Sequence, residues 1–510
     1  MRAPGRSRAS VCLVRARDRR TRLHESAIPA GLANFSALGG PHGVVERRHS
    51  SELALPAEPA RALAQNAKQV DFRRNCMKAF KKLVAAGLAL ALPLSALAQT
   101  TPAEPAKPAE QAAPAGAPVA EKVPATKPAD DAIKVTPYGF VLLNAFYDLD
   151  AFATKDYPGQ ASSLDTGEAF LMSARQSRFG VRLGGKDTML TGADLSGVIE
   201  FDFKAGHIAG ANAASTNWYN GVMRLRLAAA TASWKFANGS SFAVLAGQEY
   251  GLVNPLFAES LAWVADPLFW QAGNLWRRSP QVRATFNGKF GDMGLTLQGA
   301  VLSPADGFTD GDGPHGTDFG PGNASGVPDL EARAAVNAKF APDMGGTVGV
   351  SYHRQERKYL NATGGTDDEL DTWMFGVDAE LNLTQFLAAK GEYYMGSGAS
   401  DTYNAPDPST RGDAGAREAL DTKGWWAQAI IKPVPYLWLT AGYGSAESDE
   451  PEFVTAATAR EENTQLAFGA LVNAGKAWRF GVEFMRTETT YGNGADFDAS
   501  QIAVSSQLKF

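Results

Sequence analysis

From Val135 to the last residue, apolar and polar side chains alternate with a period of two in one segment after another. In GVIEFDFK, Gly197, Ile199, Phe201 and Phe203 fall on one side and Val198, Glu200, Asp202 and Lys204 on the other. Successive side chains of a strand point to opposite faces, so this period predicts strands with one oily and one wet face. SRFGVRLGG sets Phe179, Val181 and Leu183 against Arg178, Gly180 and Arg182, and SPQVRATFNGKF sets Val282, Ala284 and Phe286 against Gln281, Arg283 and Thr285. The closing stretch QIAVSSQLKF sets Ile502, Val504, Leu508 and Phe510 against Gln501, Ala503, Ser505 and Gln507. About sixteen strands are predicted, starting near residues 135, 172, 195, 221, 241, 279, 293, 329, 346, 371, 384, 423, 436, 463, 477 and 499.

The connections sort by length. Even-numbered strands are followed by short turns such as ANGSS at 237 and NAGK at 473, odd-numbered ones mostly by long stretches rich in Gly, Asp, Asn and Pro. Short turns on one rim and long loops on the other predict an all-β, 16-stranded antiparallel transmembrane barrel over residues 132–510. Hydrocarbon offers no partner to a free backbone edge, so the last strand is expected to pair with the first, VTPYGFVLLNAFYD. Phe510 then lies in the aromatic girdle of the inner interface.

Composition adds the route to the membrane. From Met77 the chain reads MKAFKKLVAAGLALALPLSALAQT, with a basic start at Lys78, Lys81 and Lys82, an apolar run from Leu83 to Leu92, and the small-x-small site Ala96, Leu97, Ala98. These are the marks of a secretory signal peptide at 77–98. The Arg-rich residues 1–76 ahead of it are read as an early-called start or a disordered basic extension, and a nucleic-acid role is set aside for a segment in front of an export signal. Residues 99–131 are Pro/Ala-rich without an aromatic, which predicts an extended periplasmic spacer. Of 49 Lys+Arg, 17 precede Gln99, and of 54 Asp+Glu, 6 do, leaving 32 − 48 = −16 for the exported part. Both cysteines, Cys12 and Cys76, lie upstream of Met77, so disulfides and thiolate metal sites are excluded from the barrel, and no cofactor is expected.

The stretches YGFVLLNAFYD, SARQSRFGVRLGG, GVIEFDF, MRLRLAAATASW and AVLAGQEYG, running from Tyr138 to Gly251, resemble the first five strands of trimeric Gram-negative porins, and most closely the DcaP-like porins. The order RQSRFG, EFDF, RLR, GQ carries the likeness, and the remainder of the barrel follows it by pattern. The resemblance implies a homotrimer in the outer membrane, in contact with lipid and lipopolysaccharide, passing small hydrophilic solutes by diffusion with a leaning to anions. A helical extension found on some members of that family is replaced here by the Pro/Ala spacer.

The resemblance also implies that the third long loop folds inward as a constriction. That loop, from about Gly251 to Ser279, holds Phe257, Leu261, Trp263, Phe269, Trp270 and Trp276, too apolar a set for a solvated loop. Glu259 and Asp266 are expected to face the lumen, with Arg277 and Arg278 where the chain re-enters the wall. On the wet faces of the early strands stand Arg178, Arg182, Arg224, Arg226 and Arg283. Guanidinium groups stay charged and grip carboxylates in pairs, so an arginine ladder facing an acidic loop makes a transverse field for anionic or dipolar solutes. The competing reading pairs these arginines with lumen acids such as Glu200, Asp202 and Glu331. Further acids on later strands are Asp378, Glu380, Glu392 and Glu483.

Two other functions compete with a channel. A barrel hydrolase needs a nucleophile and base, yet beyond residue 98 the only histidines are His207, His315 and His353, and no GxSxG, HExxH or P-loop motif occurs. A tether would use the spacer to contact the cell wall and the barrel only as an anchor. The acidic stretches FTDGDGPHGTDFG and SAESDEPEF do not follow EF-hand spacing and are read as solvated loops.

Overall fold

The computed structural model describes residues 133–153, 159–162, 167–187, 192–205, 207–209, 216–304, 320–360, 366–403, 409–412, 415–448 and 459–510. The extension, the leader and the spacer lie outside these residues, as do His315 and most of the two acidic stretches.

Sixteen antiparallel strands form a closed barrel. In chain order they are β1 (Lys134–Asp148), β2 (Ala169–Ser173 continued by Arg178–Asp187), β3 (Ala193–Asp202), β4 (Arg224–Lys235), β5 (Ser241–Tyr250), β6 (Arg278–Phe290), β7 (Met293–Leu302) and β8 (Asp329–Ala341). They continue as β9 (Met344–Tyr359), β10 (Asp368–Thr384), β11 (Leu387–Ser397), β12 (Asp421–Val434), β13 (Leu437–Ser448), β14 (Arg460–Ala474), β15 (Trp478–Tyr491) and β16 (Asp496–Lys509). Each begins within a few residues of its expected start. β5, β7 and β8 coincide with theirs.

The seam closes as backbone chemistry in lipid requires. β16 pairs with β1 from Phe140↔Lys509 to Asp148↔Gln501, and Gly139 and Phe510 exchange two backbone hydrogen bonds of 3.1 Å. Phe510 itself is 65% exposed, beside other exposed aromatics of the short-turn rim: Phe236, Phe290, Phe340, Phe386, Tyr436 and Trp478. A second exposed set, Phe170, Tyr352, Tyr393, Trp425 and Tyr443, lies toward the long-loop rim. Between them β9 shows an aliphatic outer face, with Val348 and Val350 pointing out while Ser351, His353, Gln355 and Arg357 are buried inside. Aromatic girdles bracketing an apolar band suit a barrel standing in a bilayer.

Two departures from regular alternation shape the interior. β2 breaks at Ala174–Ser177, and its two parts both pair with β1. Across the break the Ser177 hydroxyl accepts from Leu142 N–H (3.0 Å) and donates to the Leu142 carbonyl (3.2 Å), replacing the missing ladder. In β4 a bulge opposite Glu200 and Phe201 leaves Arg226 without a partner in the ladder with β3, while on the other edge Trp234 pairs with Phe242 of β5 in a stacked contact.

Candidate functional site: the inward loop and its wall

The long connection between β5 and β6, residues 251–277, bonds to side chains from strands all around the barrel, which it reaches only by crossing the lumen. Leu252 N–H donates to Glu331 of β8 (2.5 Å), Leu256 N–H to Glu392 of β11 (2.6 Å) and Glu259 N–H to Gln428 of β12 (2.7 Å). Farther along, Leu261 and Ala262 N–H both donate to Glu483 Oε2 of β15 (2.9 and 2.7 Å). Gln176, freed by the break in β2, accepts from Val264 and Ala265 N–H and donates to the Ala262 carbonyl. The loop then turns back against β12 and β13, and Asn463 of β14 donates to the Gln271 carbonyl (2.8 Å). An irregular loop buried in a barrel must satisfy its backbone on the wall, and these side chains do so.

The loop's apolar residues find their own seat. Phe269 is fully buried and stacks on Trp426 with ring centroids 6.0 Å apart, in a cluster that includes Trp263 and Leu268. It holds a positive φ of 68°, shared among the described non-glycine residues only with Asn254 (φ 47°) of the same loop. Side chains avoid that region unless their surroundings hold them there. The close approach rests on missing side chains in the wall: a Cβ added to Gly444 would collide with the Ala272 carbonyl oxygen.

The expected arginines divide by environment. Arg178, Arg224 and Arg226 come together where the loop passes at Val264–Asp266. Arg178 donates to the Val264 carbonyl (2.8 Å) and lies 3.5 Å from Glu200, while Arg224 grips Asp202 with two bonds of 2.9 and 2.7 Å. Arg226 is buried and donates to Glu200 (2.9 Å), Asp202 (2.7 Å) and the Tyr250 hydroxyl (2.7 Å). Arg182 stands apart, exposed, with its guanidinium 3.9 Å over the Tyr138 ring. Arg283 bonds Gln281 (3.0 Å) and the Tyr250 carbonyl.

The loop's charges do not gather in one place. Asp266 pairs with Lys204 (3.2 Å) and faces Arg224 (3.6 Å), whereas Glu259 meets Arg479 of β15 (3.1 Å). Arg277 is buried against Asp329 (2.9 Å), and Arg278 lies over Trp276 (4.8 Å) and Tyr250 (5.7 Å). Of the later-strand acids, Glu331, Glu392 and Glu483 hold loop N–H groups, Asp378 is gripped by Arg333 (3.1 and 2.6 Å), and Glu380 lies 3.7 Å from Lys390. His353 Nδ1 lies 3.3 Å from Glu331, and Ser351 Oγ donates to the Gly376 carbonyl at 3.5 Å.

The sequence reading missed Gln176, Gln428 and the N–H-accepting role of the three glutamates. Their one signal was a polar residue on an inward face, which a water-lined wall displays everywhere.

No family model matches this chain, and no curated protein does. Solved structures do. The crystal structure of the outer membrane channel DcaP of Acinetobacter baumannii is similar over 74% of this chain and 97% of that chain, with a TM-score of 0.56 and 19% sequence identity. OprB of Pseudomonas putida matches 74% of this chain and 94% of its own, with a TM-score of 0.47 and 10% identity. The anion-selective porin from Comamonas acidovorans matches 74% and 100%, with a TM-score of 0.45 and 12% identity. The likeness read in the first five strands is met at the level of fold: this chain carries a fold similar to that of the outer membrane channel DcaP.

Proposed function

We propose that the chain is an outer-membrane porin, a water-filled passage through which small hydrophilic solutes diffuse, with a preference for anions. The observation that carries this reading is the loop 251–277 hung across the lumen from wall side chains, beside a wall bearing Arg178, Arg182, Arg224 and Lys204. A barrel that served only as an anchor has no need of a loop suspended at this many points. The similar DcaP structure is that of an outer membrane channel, which agrees with this reading.

The arginines act in two ways on this reading. Arg226 and Arg224 are tied to Glu200 and Asp202 and fix the field; Arg182 and Arg178 meet the solute. Glu259, Asp266, Arg277 and Arg278 hold the loop's course rather than forming an acidic lip. The protein is exported by the leader at 77–98 and assembles as a homotrimer, and its barrel does no covalent chemistry.

The test is conductance in a planar bilayer with a salt gradient. Steps in groups of three with an anion-leaning reversal potential, reduced in Arg182→Ala, are expected. A folded barrel without conductance overturns the porin reading in favour of a tether, and turnover of a lipid or peptide that His353→Ala abolishes overturns it in favour of a hydrolase.

A further inference from the structure

The connection between β11 and β12, residues 398–420, also reaches into the barrel. Its short helical turn Asp401–Tyr403 is docked on the inner wall rather than standing above it. Arg357 of β9, itself buried, grips Asp401 with bonds of 3.1 and 2.6 Å and donates to Thr402 Oγ1 (2.8 Å). Ser409 returns to the same carboxylate, its hydroxyl donating to Asp401 Oδ1 (2.6 Å). This braces the turn so that Tyr403 points down, fully buried.

Tyr403 ends on the constriction loop's own fastenings. Its hydroxyl donates to Glu331 Oε1 (2.5 Å), while Glu331 Oε2 accepts Leu252 N–H of loop 251–277 (2.5 Å). One carboxylate therefore holds two loops, one on each oxygen. The tyrosine ring packs in a cluster with Val253 and Leu275, which belong to the outgoing and returning stems of that loop. The Arg277 guanidinium at the foot of the returning stem lies 5.4 Å over the same ring. Burial first, and then the neighbouring Glu331, push the Tyr403 hydroxyl well above its usual range, so it remains a donor.

Resting on the porin reading, we infer that the turn Asp401–Tyr403 is a clasp on the constriction loop, with Tyr403 as a positioning residue that sets how rigidly the loop narrows the pore. Tyr403 touches both stems and shares the carboxylate that holds Leu252, so the stems of loop 251–277 shift only when this turn shifts with them. The braces differ in kind: Arg357–Asp401 seats the turn, and Tyr403–Glu331 transmits its position.

The test uses full-length protein purified from outer membranes, comparing wild type, Tyr403→Phe and Tyr403→Ala, each also with Val264→Cys, at a half-buried loop position bonded through its backbone, as a reporter on the loop. Retained heat-modifiable migration identifies folded barrels. Losing the shared hydrogen bond is expected to raise the frequency of brief closures about tenfold in Tyr403→Phe, with a larger rise and a changed conductance in Tyr403→Ala. Labelling of the reporter by a charged thiol reagent, located by peptide mass, rises in the same order. Wild-type closures and labelling in a conducting Tyr403→Ala channel overturn the clasp. If the wild type does not conduct while labelling still rises in Tyr403→Ala, the clasp stands and the porin reading falls.

Discussion

Arg226 Nη1 and Asp202 Oδ2 meet at 2.7 Å with side chains 1% and 0% exposed, inside a barrel that ought to be full of water. A buried pair of this kind is costly to break from one side, because Asp202 then keeps its charge in a buried site with Arg224 alone, and Glu200 loses its nearest guanidinium. Arg226→Ala is therefore expected to destabilise the barrel by about 3–5 kcal/mol. Arg182→Ala, at an exposed guanidinium, is expected to stay within about 0.5 kcal/mol of wild type while moving the reversal potential toward cations. Thermal unfolding in detergent beside bilayer recording separates the two, and equal destabilisation by both variants contradicts the division.

Glu483 offers a test of the loop that does not touch the arginines. Glu483→Ala leaves Leu261 and Ala262 N–H without their acceptor, at about 1–3 kcal/mol for each buried group. The loop is expected to leave the β15 wall, giving noisier and larger conductance steps. Glu483→Gln keeps an acceptor oxygen and should lie between. Quiet, wild-type steps in Glu483→Ala would show that this anchor is dispensable.

The seam makes an opposite pair of predictions. Phe510→Ala keeps both backbone bonds to Gly139 and removes only an exposed ring, so a loss on the order of 1 kcal/mol is expected. Gly139→Val drives a Cβ into the Arg178 carbonyl oxygen and to 2.8 Å from the Phe510 ring. That variant is expected not to close, read as loss of the heat-modifiable band.

Export is checked by sequencing the N-terminus of protein recovered from outer membranes. A chain starting at Gln99 is expected; one that retains residues 77–98 contradicts the leader.

Strand positions and the inward arginines were legible because a period of two survives even when individual residues are unremarkable. Four features were not. The break at Ala174–Ser177 was hidden because ARQS is short and carries no Gly or Pro to mark a turn between the two alternating pieces. The bulge at Arg226 fell in RLRL, whose own alternation is unbroken and whose small neighbours AAATAS fit either face. Glu483 and Glu331 read as pore charges, since a carboxylate awaiting a distant loop's N–H looks the same in sequence as one awaiting an ion. Tyr403 lies 72 residues from Glu331 in the chain, and no local period joins them.

The patch at Ser177 has a consequence for the barrel as an insulator. A membrane wall must not conduct sideways, and where β2 leaves β1 the seal around Leu142 is a single hydroxyl serving both backbone groups. Ser177→Ala would bare that amide and carbonyl, so this one serine lets the wall carry a broken strand without leaving an unpaired backbone gap.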